Sequence, residues 1–212
     1  MTHRESFDAA FARCPLVAIL RGVQPHEAEA IGDALLDAGF TIVEVPLNSP
    51  DPYESITRLS KRLEGYAVVG AGTVLTVEQV EQVEAAGGTL IISPNANTTV
   101  ISAAAERGLV AMPGIATPTE AFAALDAGAA ALKLFPAEAA SPAVMKAMRA
   151  VLPLGVRMLP VGGIVPSVLD DWHKAGAAGY GLGSALYVPK MDAATVGERA
   201  RAFVAAWNAL EG

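Results

Sequence analysis

The sequence predicts an α/β fold, a single (β/α)8 barrel over residues 1–212 with an extra helix ahead of the first strand. Three observations predict it. Short runs rich in Val, Ile and Leu recur eight times, each too brief for a helix and bounded by turn residues, as strands buried on both faces are. Ala- and Glu-rich stretches with helix-start signals lie between them. Gly39, Gly65, Gly87, Gly108, Gly128, Gly155 and Gly176, spaced 20 to 27 residues apart, each stand just before an apolar run. A period in the low twenties also suits a solenoid of repeats, but eight βα units in roughly 200 residues match a small closed barrel.

Residues 1–13 alternate charges with Phe7 and Phe11 and have no long apolar core. They read as the extra helix, and neither as a signal peptide nor as an anchor. The eight strand runs follow at 16–20, 42–47, 67–71, 90–92, 109–112, 130–135, 157–161 and 179–182. Pro25 with Glu27 opens one helix, and Thr76 with Gln79 three residues on forms a capping box for another. Thr117-Pro118 with Glu120, and Ser141-Pro142, repeat the start signal. Each glycine ends a helix in the left-handed conformation at low cost and turns the chain back toward a strand. A last helix over 193–210 closes the ring, and no linker interrupts the series.

Composition narrows the class. Hydrophobic residues make up 52% of the chain, enough to bury a large core and to exclude global disorder. Cys14 is the single cysteine, which excludes a disulfide scaffold and a Cys-based zinc ribbon. The net charge of -7 argues against nucleic acid as a partner. No apolar run reaches the ~18 residues of a membrane span, so no membrane partner is expected and the expected location is cytoplasmic.

In a barrel of this kind chemistry sits at the C-terminal ends of the strands. Those ends read Arg21-Gly22, Glu44 followed by Pro46-Leu47-Asn48, Gly70-Ala71-Gly72-Thr73, Ser93-Pro94-Asn95, Pro113-Gly114, Lys133 within 130–136, Gly162-Gly163, and Gly181-Leu182-Gly183-Ser184. Lys133 stands inside an apolar strand, where a charged side chain is almost never fully buried unless paired. Burial lowers the pKa of an amine and frees it as a nucleophile toward a ketone, with a Schiff base as the product. The alternative is a lysine that pairs with a carboxylate, or reaches past the strand end, with no chemistry.

Glu44 lies in another apolar strand and can meet Lys133 across the barrel. There it suits a proton shuttle acting through a water, or a buried ion pair with Lys133 or Arg21. Gly162-Gly163 and Gly183-Ser184 follow the last two strands, where barrels commonly bind phosphate; tight turns alone are the other reading. Gly70-Ala71-Gly72-Thr73 lacks the last glycine of a dinucleotide fingerprint. Thr73 can bond a carboxylate or simply begin a helix, and the Arg21 fork suits a substrate carboxylate or an ion pair. His3, His26 and His173 all lie away from strand ends and read as solvated helix residues, so no metal site is expected. The Gly-x-Ser-x-Gly elbow of a serine hydrolase is absent from the sequence.

Taken in order, seven segments resemble one family over residues 15–187. They are Ala18-Ile19-Leu20-Arg21-Gly22, Val43-Glu44-Val45-Pro46-Leu47-Asn48-Ser49-Pro50, Gly70-Ala71-Gly72-Thr73-Val74-Leu75, Ser93-Pro94-Asn95, Leu132-Lys133-Leu134-Phe135-Pro136, Val161-Gly162-Gly163 and Gly181-Leu182-Gly183-Ser184. The family is that of the pyruvate-dependent Schiff-base aldolases of keto-deoxy-phospho sugar acids, with a phosphogluconate and a phosphogalactonate branch. The resemblance implies that Lys133 takes the Schiff-base position and Glu44 the proton-shuttle position. It places Arg21 and Thr73 near the carboxylate of bound pyruvate, and Gly162, Gly163, Gly183 and Ser184 around the phosphate. Pro94, Phe135 and Val161 join them as substrate-binding positions.

The resemblance also implies reversible cleavage to pyruvate and D-glyceraldehyde 3-phosphate, no cofactor, and a homotrimer. Asn48, where gluconate-type members carry Arg, and Val161, where they carry Thr, resemble the galactonate branch. Ala137-Glu138 resembles the gluconate branch, whose substrate is the C4 epimer. Two rival readings are another phosphate-binding barrel, such as a sugar-phosphate isomerase or a thiamine-phosphate-synthase-like enzyme, and a non-catalytic sugar-phosphate binder. An isomerase requires no buried amine, and a binder requires no Lys–Glu pair.

Overall fold

The computed structural model describes residues 1–211. Its strands are β1 (Leu16–Ile19), β2 (Ile42–Pro46), β3 (Val68–Gly72), β4 (Leu90–Ile92), β5 (Val110–Met112), β6 (Gly114–Ile115), β7 (Leu132–Leu134), β8 (Met158–Pro160) and β9 (Tyr180–Leu182). The helices are α1 (His3–Arg13), α2 (Pro25–Asp37), α3 (Pro52–Arg62), α4 (Val77–Ala85), α5 (Thr98–Glu106), α6 (Pro118–Asp126), α7 (Pro142–Arg149), α8 (Leu169–Lys174) and α9 (Ala193–Glu211). Short 3-10 turns occupy Ala137–Ala139 and Pro166–Val168.

Local chemistry fixes the helix ends. The Thr76 hydroxyl accepts from the Gln79 N–H at 3.2 Å, and the Gln79 side chain accepts from the Thr76 N–H at 3.3 Å. Thr117 and Glu120 make the same reciprocal pair for α6, and Ser141 caps α7. Each box satisfies N–H groups that a helix start otherwise leaves bare. At the other end of α2, Gly39 has φ +103°, the Gly39 N–H donates to Leu36 O and the Phe40 N–H to Leu35 O. This double bond closes the helix only if the intervening residue is left-handed, a conformation glycine adopts freely. The same pair of bonds recurs at Gly87, Gly108, Gly128 and Gly176. Gly155 differs from expectation: α7 has already ended at Arg149, and Gly155 serves a later turn in which Val156 N–H bonds Pro153 O.

All strand pairs are parallel. A six-stranded sheet runs β5-β4-β3-β2-β1-β9 and a three-stranded sheet runs β6-β7-β8. The eight expected runs thus become nine strands in a curled parallel α/β fold. The fifth run, 109–112, holds β5, and an additional two-residue strand, β6, follows Pro113, which has no N–H to give to a ladder: β5 pairs with β4, and β6 pairs with β7. Hydrogen bonds cross both seams between the sheets. Ala130 N–H bonds Ala111 O at 2.8 Å on one side, and Ala178 N–H bonds Met158 O at 3.0 Å on the other. Val161 and Gly181 add a parallel bridge there. Helix α9 packs between α2 and α8.

The side chains divide into two apolar layers. One lies between strands and helices; the other fills the space enclosed by the strands, with Val17, Ile42, Val68, Leu90, Val110, Ala131 and Leu159 in it. Phe7, Ala10 and Phe11 of α1 belong to that inner layer, so α1 stops the end where the strands begin. The Arg157 guanidinium stands over the Phe7 and Phe11 rings at 5.8 and 4.7 Å and pairs with Asp8. The Thr41 hydroxyl bonds Ala10 O at 2.8 Å. Among the described residues, the inner layer takes in no helix at the opposite end, where the strands finish. Cys14 is buried, and burial pushes its thiol pKa up.

Candidate active site

Alternation along the strands puts two charged groups inside. Lys133 lies two residues after Ala131, and Glu44 two after Ile42, so both share the inward face with those apolar residues. Lys133 is 6% exposed and Glu44 1%. Room for them comes from small neighbours: Gly114 is the register partner of Lys133, and Gly70 that of Glu44. A side chain on Gly72 would overlap the Glu44 carboxylate.

Neither group is consumed by a structural pairing. Among the described residues, no ion pair joins Lys133 or Glu44 to any partner, and Glu44 Oε2 has no hydrogen bond. A buried carboxylate oxygen left bare is costly and is relieved by a substrate hydroxyl or a water. Burial chiefly holds the Lys133 amine below its ordinary pKa; the Glu44 charge acts against that shift and the Arg21 charge with it. Burial pushes the Glu44 carboxyl up to about 7, against the pull of the Lys133 and Arg21 charges. An amine held below its ordinary pKa therefore faces the same space as a carboxyl pushed up to about 7, the kind of pair that suits nucleophilic and acid/base chemistry.

The remaining expected residues rim that space. The Lys133 ammonium lies 4.6 Å from the centre of the Phe135 ring. Pro94 reaches the same place, because its carbonyl packs directly on Gly114, where any side chain would collide. Thr73, half-buried at the end of β3, has φ +59°. That is a strained backbone for a β-branched residue, of the kind found at functional sites. Arg21 is exposed, and its guanidinium donates to Asn48 Oδ1 at 2.6 Å; the Gly22 N–H donates to Ser49 Oγ at 2.9 Å. The ends of β1 and β2 are thus tied together, with the Arg21 fork held over the opening.

Val161 is buried beside Gly181, its methyls filling the place a side chain there would take. Gly162 and Gly163 follow it with φ +113° and +65°. Among the described residues, the backbone N–H groups of Gly162, Gly163, Gly183 and Ser184 serve no other backbone group. Such free N–H groups suit an anion. His3 and His26 are exposed. His173 is not solvated as expected: it is half-buried, edge-on to Trp207 with ring centres 5.6 Å apart.

The structure therefore brings Lys133, Glu44, Thr73, Pro94, Phe135, Val161 and both glycine loops to one end of the strands, with Arg21 at the rim. Sequence reasoning missed what supports them. Asn48 and Ser49 fix the Arg21 loop, and Gly70, Gly72 and Gly114 clear the interior. Glu138 lies against Gly162 and Gly163. The one available signal was proximity to the strand ends, which carries no information on which residues meet.

A family model described as "Aldolase: KDPG and KHG aldolase" matches residues 7–198. The chain is 48% identical over 198 residues to the probable 2-dehydro-3-deoxy-6-phosphogalactonate aldolase of Rhizobium meliloti, covering 93% of each chain. It is 47% identical to the 2-dehydro-3-deoxy-6-phosphogalactonate aldolase of Escherichia coli K12, covering 92% of this chain and 96% of that one. A solved structure described as "Native KDPGal structure" superposes with a TM-score of 0.92 at 46% identity, over 94% of this chain and 97% of that one. Identity to the KHG/KDPG aldolase of Escherichia coli K12 is 32%, over 99% of this chain and 97% of that one.

Proposed function

The chain belongs to the KDPG and KHG aldolase family and is a carbon–carbon lyase; from that premise we propose how its own residues carry the reaction. The substrate is 2-dehydro-3-deoxy-6-phosphogalactonate, cleaved reversibly to pyruvate and D-glyceraldehyde 3-phosphate. The galactonate-type relatives, at 47–48% identity against 32% for the gluconate-type one, support this choice. The apolar, buried Val161 fits the same choice, on the reading that it meets the hydroxyl at which the two epimers differ. Measuring kcat/KM for both C4 epimers checks it, and a preference for the gluconate epimer would reverse the assignment.

Lys133 Nζ attacks the C2 ketone, and loss of water leaves a protonated imine. Glu44, through a water, takes the proton of the C4 hydroxyl. The C3–C4 bond then breaks, its electron pair passing into the iminium to give an enamine, and the C4 oxygen becomes the aldehyde carbonyl. Glyceraldehyde 3-phosphate leaves, C3 regains a proton, and water hydrolyses the imine to pyruvate and free Lys133. Arg21 and Thr73 hold the C1 carboxylate, Pro94 and Phe135 line the pyruvate end, and the N–H groups of Gly162, Gly163, Gly183 and Ser184 hold the phosphate.

The observation that carries this reading is the buried, unpaired Lys133 amine on the same inward face as the unpaired Glu44 carboxyl. Borohydride reduction in the presence of pyruvate, with intact mass and peptide mapping, tests it. A pyruvate-sized adduct on Lys133 is expected, and Lys133→Ala is expected to lose both adduct and turnover while keeping its circular dichroism. No adduct in folded wild-type protein, or retained turnover in the variant, would remove the imine.

We also infer that the two sheets close into one eight-stranded TIM barrel, a single domain, since hydrogen bonds cross both seams. We infer a homotrimer in the cytoplasm. Val144, Val151 and Leu154, exposed along α7 and the turn after it, offer apolar contact surface. Among the described residues no helix is long and apolar enough to cross a membrane. Analytical ultracentrifugation reads the assembly directly.

A further inference from the structure

Glu138 sits on the 3-10 turn Ala137–Ala139, five residues after Lys133. Its side chain lies along Gly162 and Gly163. A methyl group on Gly162 would overlap Oε2 and stand 2.7 Å from Cδ, and one on Gly163 would stand 2.9 Å from Cγ. The space that two side chains would fill is thus taken by one carboxylate. Among the described residues nothing anchors that carboxylate, which makes no ion pair and no hydrogen bond to a side chain or backbone group. It is exposed to solvent. An unanchored negative charge therefore stands at one of the two loops whose free N–H groups suit an anion.

A phosphate dianion cannot share that place, since like charges at contact distance repel strongly even near a surface. We propose that Glu138 is a specificity-determining residue: its carboxylate covers the Gly162-Gly163 loop when the site is empty, and the substrate's phosphate must displace it. The covering charge lowers affinity for every anion, and only a ligand that gains more than the carboxylate loses can enter. A dianionic phosphate tethered to a bound sugar acid does so readily; small free anions, with no tether, bind only weakly. The inference rests on the reading of this loop as the phosphate site.

The test compares wild type with Glu138→Gln and Glu138→Ala in the condensation direction. Inorganic phosphate serves as a competitive inhibitor, and D-glyceraldehyde 3-phosphate and D-glyceraldehyde serve as acceptors. In both variants the inhibition constant for phosphate is expected to fall about five- to tenfold. KM for the phosphorylated aldehyde should fall by a similar factor, while KM for D-glyceraldehyde does not follow it. Glu138→Asp, which keeps the charge on a shorter arm, should lie between wild type and Gln. Unchanged or weaker phosphate inhibition in folded Gln and Ala variants would overturn the role of Glu138 and leave the loop assignment standing. Wild type that neither binds phosphate nor prefers the phosphorylated aldehyde would overturn the loop assignment itself, and the role of Glu138 with it.

Discussion

At the scale of single residues, Glu44 makes the sharpest demand on experiment. Its proton stays on up to about pH 7 in the native protein, whereas the ordinary value is 4.5. Between those values the native state binds more protons than the unfolded chain, so stability falls as pH rises through the window. The slope from this one group is at most ~1.4 kcal/mol per pH unit. The ionised form is the base, so kcat/KM should rise through pH 7 as stability falls. Glu44→Gln should flatten both profiles in that range and slow turnover by roughly 10²- to 10⁴-fold, with a much smaller change in pyruvate binding. Urea titrations at several pH values and a pH–rate profile check the two halves. Equal losses of binding and rate would make Glu44 structural.

The inward burial of Lys133 and Glu44 was legible because a charge inside an apolar strand contradicts its surroundings, and period-two alternation settles which way it points. Asn48 and Glu138 contradict nothing locally. Asn48 has its partner 27 residues away, and Glu138 touches Gly162 and Gly163, far along the chain at the end of the adjacent strand, so no local pattern marks either one.

At the scale of elements, legibility follows the range of the forces involved. Capping boxes and glycine stops act within four or five residues, and Thr76, Thr117 and Ser141 stand where their side-chain chemistry requires. Strand β6 escaped because the run 109–112 looks complete before Pro113; pairing with a different neighbour, β7 in place of β4, is what makes residues 114–115 a strand. Helix α1 illustrates the same limit. Its helical nature shows in the sequence, but its place as a stopper depends on Arg157, which stacks on Phe11 and pairs with Asp8 from 149 residues away. Phe11→Ala should therefore cost about 3–5 kcal/mol of stability and leave kcat nearly unaltered, because the stopper and the reacting groups occupy opposite ends of the strands. Chemical denaturation beside steady-state kinetics decides this. A variant with full stability and a lowered kcat would show that α1 is coupled to the site.

At the scale of the whole molecule, hydrogen bonding across both seams predicts cooperative loss of structure. Trp172 and Trp207 lie in α8 and α9, beside the seam between β8 and β9. Their fluorescence should change at the same urea concentration as the far-ultraviolet circular dichroism, and the two curves should superimpose. A separate earlier fluorescence step would mean that the three-stranded sheet comes away first.

The stopper built from Phe7, Ala10 and Phe11 carries one more consequence. An interior sealed at one end is a blind alley, so everything that goes in must come back by the way it entered. In the proposed mechanism the pyruvate fragment stays covalently joined to Lys133, while the phosphate-bearing fragment is free to go once the C3–C4 bond has broken. Departure must then follow a queue: glyceraldehyde 3-phosphate first, pyruvate last, and in the synthetic direction pyruvate ahead of the aldehyde. Product-inhibition kinetics should show pyruvate competing with the six-carbon substrate for free enzyme and glyceraldehyde 3-phosphate failing to do so. A random pattern would point to a second doorway.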